Sequence, residues 1–185
     1  MNPSIFTPDS VGALDGEPWL RAARLASAQV AAAQPWPTAE EEIWRYSCID
    51  DFDPTAYRLD RPTTTITGFT PTSVTEGQWR SVMTEPVDVF AAWNDAFADP
   101  IVIRIGRGQT ASQPVVIAHH IPAGAAVLPR LVLLAEENAE VTVIERFLGG
   151  DHALVVPVLE LHAAQSARVR YRSLNDLSST AWSIA

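Results

Sequence analysis

Two hydrophobic periods divide the chain. From Pro100 onward apolar and polar residues alternate in "IVIRI", "QPVVIAHHI", "RLVLLA", "EVTVIERF", "LVVPVLELH" and "ARVRYRSL", each bounded by Gly, Pro, Asn or Asp. That period of two belongs to strands with one buried face. Before Pro100 the spacing is helical. Residues 15–33 are alanine-rich, open with Asp15 as N-cap and Pro18 in the first turn, and stop before "QPWP", which predicts a helix. "TAEE" at 38–41 reads as a capping box, so a short second helix is expected to carry Trp44 and end before Pro54. In "EPVDVFAAWNDAFAD", Val87, Phe90, Trp93 or Asn94, and Phe97 recur at helical intervals behind Pro86 and predict a third helix. The intervening Thr-, Pro- and Gly-rich stretch offers only short strand candidates, at 65–69 and 73–75.

The strand half repeats. Sliding residues 130–147 over 158–174 at an offset of about 28 sets Leu131 on Leu159, Leu133 on Leu161, Ala139 on Ala167 and Val141 on Val169. The same offset backwards would place Ile103 and Ile105 under Leu131 and Leu133. An antiparallel meander would also pair strands, but equal repeat length with apolar positions in register is what stacked coils demand. The expected fold is α+β, with a mainly helical region at 1–98 followed at 99–185 by the opening coils of a right-handed parallel β-helix.

At 185 residues and 47% hydrophobic content the chain can bury a real core. A formal charge of -9 opposes nonspecific nucleic-acid binding, which depends on cations replacing counterions along the phosphates. All 13 basic residues are arginine, which removes a Walker A phosphate loop, a pyridoxal Schiff base and every lysine nucleophile. The chain has no apolar run of membrane-spanning length and no secretory leader pattern, and its single cysteine cannot form an internal disulfide. A cytoplasmic protein without membrane contact is expected.

Candidate chemistry is sparse. "GRGQTA" at 106–111 has the outline of a dinucleotide fingerprint, but strand-like "PVVIAHH" follows where the motif needs a helix, so a turn is expected. The four histidines, His119, His120, His152 and His162, lie in the strand half and raise a cupin-like metal site using His119 or His120 with His152 or His162. Adjacent His119 and His120 point to opposite faces of a strand, so only one could face inward. Arg130 and Glu145 interrupt apolar patterns on neighbouring strands and read as a cross-strand ion pair. Cys48 sits among Asp50, Asp51 and Asp53, which disfavour a thiolate, and reads as a small apolar residue. Trp44 and Tyr46 are expected to be buried anchors of the helical region. Tyr171 alone suits a sugar platform, which leaves a carbohydrate-active β-helix as a third alternative. No catalytic, cofactor-binding or metal residue is assigned.

"EEIWRYSCIDDFD", "AAWNDAF" and "LPRLVLLAEENAEVTVIERF", in this order, resemble the SufB/SufD family of iron-sulfur cluster assembly proteins, most closely its SufD side. In that family a stretch like Glu42, Trp44, Arg45 and Tyr46 lies in the helical N-terminal region, and the segment after Arg130 lies on an early β-helix turn. The resemblance implies a non-catalytic scaffold that pairs with a SufB-like or second SufD-like chain and works with the SufC ATPase, the cluster being built in the wider complex. Family members continue through further coils into a helical segment carrying the cysteine, histidine and glutamate positions used in cluster building. That region is not in this sequence, so no site residue is carried over, and the chain is expected to be a fragment or a shortened relative. Residues 180–185 read as the first strand of another coil, with Trp182 exposed and self-association through these terminal strands expected.

Overall fold

The structure, a computed structural model, describes residues 5–185. A short helix α1 (Pro8–Val11) precedes α2 (Pro18–Ala33). Helix α2 buries Leu20, Arg24, Ser27, Ala28 and Ala31, one stripe at helical spacing. Its N-cap is Glu17 rather than the expected Asp15, with no side-chain cap bond. The Asp15 carbonyl instead accepts a 2.8 Å bond from Arg24 Nη1.

The expected second helix does not form. Glu41 Oε1 accepts from the Thr38 N–H at 3.1 Å, which is half a capping box, but only turns and a single 3-10 turn at Ile49–Asp51 follow. Aromatic, β-branched and serine residues through "IWRYSC" favour the helix poorly, and Ser47 turns its hydroxyl back onto the Trp44 carbonyl at 2.7 Å. Cys48, at φ 54°, then reverses the chain.

Two strands follow, β1 (Arg58–Leu59) and β2 (Thr63–Thr67). The third helix, α3 (Val89–Phe97), starts later than its spacing suggested: Val87 is exposed, and Asp88 caps it by accepting from the Ala91 N–H at 2.8 Å. All nine residues of α3 are buried.

From Pro100 the chain winds a three-sided parallel solenoid. The strands are β3 (Pro100–Ile105), β4 (Val115–Ile121), β5 (Ala125–Val127), β6 (Arg130–Ala135), β7 (Glu140–Gly149), β8 (Leu154–Val155), β9 (Val158–Ala163), β10 (Arg168–Leu177) and β11 (Trp182–Ser183). Every third strand stacks, giving the faces β3-β6-β9, β4-β7-β10 and β5-β8-β11 over three coils. The 28-residue register holds between the last two coils, where Leu131 pairs with Leu159 and Val141 with Val169. It fails in the first coil, where Ile101 and Ile103, rather than Ile103 and Ile105, pair with Leu131 and Leu133. Thr110 still lies thirty residues before its partner Glu140, whereas Val115 lies 28 before Val143. The two extra residues therefore sit in the turn between Thr110 and Val115. "GRGQTA" belongs to this turn, with Gly108 at φ 67° and the Gly106 N–H bonded to Gln109 Oε1 at 2.9 Å.

Residues before α3 cover the first coil. Strand β1 joins β5 in parallel, β2 joins β4 antiparallel, and Thr72 bridges to Val102, so each face gains a neighbour. The predicted strand near 73–75 reduces to that bridge. Inside, Ile103, Ile117, Leu131, Leu133 and Val143 are fully buried. Outside, the row Leu59, Ala126, Leu154 and Trp182 forms a wall against which α3 and the aromatic cluster pack. Trp182 contacts Phe52 with ring centroids 5.3 Å apart. Strand β11 thus completes the third coil rather than starting a new one, and Trp182 is partly buried. Among the described residues no helix is long and apolar enough to cross a membrane.

Candidate functional site

Two buried polar networks stand out from the apolar core. The first centres on Arg130, at the start of β6 and fully buried. Its Nε and Nη2 donate to Glu160 Oε1 at 2.9 and 2.5 Å, and its Nη1 donates to Asp95 Oδ1 at 2.6 Å and Asn94 Oδ1 at 3.1 Å. The guanidinium carbon lies 4.9 Å from the Trp79 ring centroid. Glu160 Oε2 accepts from the N–H groups of Val82 and Met83, both at 3.1 Å, and Arg80 pairs with Asp95 at 3.1 Å. Asn94 Nδ2 donates to the carbonyls of Pro129 and Val156. Two arginines thus balance two carboxylates, and one cluster ties α3, the 79–83 segment and two coils together.

Burial pushes the Asp95 carboxyl above its usual range, against the opposing pull of Arg130 and Arg80. A carboxyl raised in the folded state stabilises the fold fully below about pH 4 and loses that contribution as pH rises through the raised value. The stability of wild type minus that of Asp95→Asn should therefore fall as pH rises across this window in urea titrations. A difference that stays flat or grows would contradict the burial of Asp95.

The second network crosses the solenoid interior, one group per strand. Thr64 Oγ1 and His119 Nδ1 are 2.9 Å apart, His119 Nε2 and Glu145 Oε1 are 2.9 Å apart, and Tyr171 Oη donates to Glu145 Oε2 at 2.6 Å. The imidazole stacks on Phe147 at 5.2 Å. Burial and the Glu145 carboxylate hold the Tyr171 phenol well above its ordinary pKa, so it remains a donor. Tyr171→Phe strips a buried carboxylate of that donor and should cost about 1–3 kcal/mol in chemical denaturation. A change of only a few tenths would mean that water reaches Glu145 from the lumen.

A cavity of about 290 Å³ opens beside Thr64 and His119, walled by Ile66, Phe97, Ile101 and Leu128. Hydroxyl, imidazole and carboxylate in series have the order of a nucleophilic relay. Acyl transfer also needs donors aimed at a developing oxyanion. The cationic side chains at this cavity are already held, Arg61 by Asp99 at 2.8 Å and Arg130 by its carboxylates. The bonds tie β2, β4, β7 and β10 to one another inside the solenoid.

These networks revise the sequence reading. Arg130 and Glu145 do not pair with each other; each serves a different cluster. Asp95, Glu160 and Thr64 carry no expectation in the sequence reading and Asn94 enters it only as a helical-interval position, although a polar side chain inside an apolar period, as at Asp95 in α3 and Glu160 in β9, is the available sign. His119 faces inward and His120 outward, as alternation required. His152 lies in a turn at φ 48° and His162 is exposed on β9. A parallel solenoid with its histidines so dispersed does not support the cupin reading, and among the described residues no three His, Cys, Asp or Glu side chains group as a metal site. Tyr171 points inward, which removes the proposed sugar platform. Cys48 is exposed rather than packed as an apolar residue. Tyr46 is 87% exposed, against the burial expected of it, and Trp44 is half-buried with its ring 5.4 Å from that of Phe90.

Residues 118–185 match the family described as SUF system FeS cluster assembly, SufBD core domain. The match begins at Ala118 within β4 and takes in every strand from β5 to β11, the part of the solenoid with the regular 28-residue register. No curated protein matches the chain. The matched coils and the parallel three-sided solenoid that contains them agree with the motif resemblance, and over residues 118–185 the chain is similar to the core domain of the SufB/SufD family.

Proposed function

We propose that this chain is a SufD-like, non-catalytic scaffold component of a SufBCD-type complex. The observation that carries the reading is the SufBD core match over coils whose buried polar side chains are bonded to one another. The match over residues 118–185 supports a role in iron-sulfur cluster assembly. The SufD-like assignment rests on the motifs around Trp44 and Arg130, and the cluster is the cargo of the wider assembly rather than a resident group of this chain. The partners are a SufB-like or second SufD-like chain and the SufC ATPase. Co-expression with a SufB-like chain and SufC, followed by light scattering on the purified material, tests this. A complex of defined stoichiometry containing this chain is expected, and a chain that elutes alone from both partners would contradict it.

A further inference from the structure

Of the solenoid's three outer faces, the one formed by β5, β8 and β11 is covered by the helices, and the one formed by β3, β6 and β9 is partly covered by residues 72–83. The outer face of β2, β4, β7 and β10 is uncovered. Val116, Ala118, Ile144 and Leu148 are among its outward, half-exposed residues, and the charged groups between them, Glu140 and Arg146 on β7, are tied to Arg170 and Asp176 on β10. Its margin is basic: Arg168, Arg170 and Arg172 all point outward from β10 beside Leu174, which is 44% exposed.

Ten of the 13 arginines form an ion pair; among the described residues Arg21, Arg168 and Arg172 have no carboxylate partner, and the last two both lie on this face. Four residues of strand separate them by about 13 Å. Apolar side chains beside two arginines left over after Glu140 and Asp176 have paired with Arg170 and Arg146 have the composition of an interface.

The complementary surface is on the same chain. Residues 1–99 contain fifteen acidic and six basic residues, whereas 100–185 contain seven of each. Six of the carboxylates fall within 40–53, where the one arginine, Arg45, is tied to Glu42 at 2.5 Å. From the same segment Ile43 and Tyr46 protrude, 76% and 87% exposed. It offers carboxylates for Arg168 and Arg172 and two large exposed side chains for the apolar residues of the face.

We propose that the arginine-edged outer face of β2, β4, β7 and β10 binds the acidic 40–53 segment of a second copy of this chain. The two surfaces differ, so the contact is heterologous and builds rings or open chains rather than a two-fold dimer. It is weak, reversible and screened by salt. The contact does not depend on the terminal strands, nor on the role in cluster assembly.

Light scattering across dilution, at low and high salt, tests it. The wild-type chain should associate at low salt and dissociate at high salt. Arg168→Glu with Arg172→Glu should abolish association, as should Glu40→Arg with Asp51→Arg on the other surface. Arg168→Gln with Arg172→Gln, the milder pair, should weaken it, and circular dichroism should show all variants folded. Mixing the two charge-reversed proteins, neither of which associates alone, should restore association because each then meets its opposite. A wild-type chain that is monomeric at low salt would overturn the proposal. So would association unchanged by the arginine reversals, or lost with them but retained by the Glu40 and Asp51 variant.

Discussion

Arg130→Met is expected to lower stability by about 3–5 kcal/mol, because it removes the cation from between two buried carboxylates and leaves Glu160 with no cation and Asp95 with Arg80 alone. The side chain is fully buried, its donors engage Asn94, Asp95 and Glu160, and nothing nearby could replace it except the partly exposed Arg80. Neutralising the orphaned acids in the same chain, by Asp95→Asn and Glu160→Gln, should recover a substantial part of the loss. That recovery separates the charge effect from the packing effect of the arginine stem over Trp79. Urea unfolding followed by tryptophan fluorescence reads both. A loss below about 1 kcal/mol for the single variant would place it in the range of surface substitutions and mean that the cluster is hydrated.

Phe90→Ala should also cost about 3–5 kcal/mol. Phe90 is 2% exposed on α3, with its ring 5.3 to 6.0 Å from those of Trp36, Trp44, Phe52 and Trp93. Phe52 in turn meets Trp182 on the third coil, so a void at Phe90 loosens the seat of the helices on the solenoid wall. Tyr46→Ala, by contrast, should stay within about 0.5 kcal/mol, the usual range for an exposed side chain. Equal losses for the two variants would contradict this division between anchor and surface.

The solenoid was legible in the sequence because every coil repeats the same apolar demand, and Val141 over Val169 is visible as soon as the chain is laid on itself. The first coil was misaligned because its two extra residues lie in a turn, where no inward-facing position marks an insertion. Helix α2 was legible from its alanines and Pro18. The 38–53 segment was not, because a half-formed capping box at Thr38 and Glu41 competes with a reversal at Cys48 that only the folded backbone reveals. Tyr46 was misplaced for the same reason: without a helix, the ring has no stripe to join. Arg130 and Glu145 were recognised as unusual, but their partners come from α3, β9, β4 and β10, and proximity along the sequence could not supply them. Alternation did resolve the orientation of His119 and His120, since it depends on strand geometry alone.

The proposed scaffold role makes a direct prediction for iron. The chain purified anaerobically by itself, and again with a SufB-like chain and the SufC ATPase, should be analysed for iron, acid-labile sulfide and visible absorbance. Iron and sulfide are expected only in the complex, and Cys48→Ser should leave their content unchanged, since Cys48 is exposed and belongs to no group of three or more His, Cys, Asp or Glu side chains that could hold a metal ion among the described residues. Stoichiometric iron and sulfide on the isolated chain, lost on Cys48→Ser, would contradict the scaffold reading.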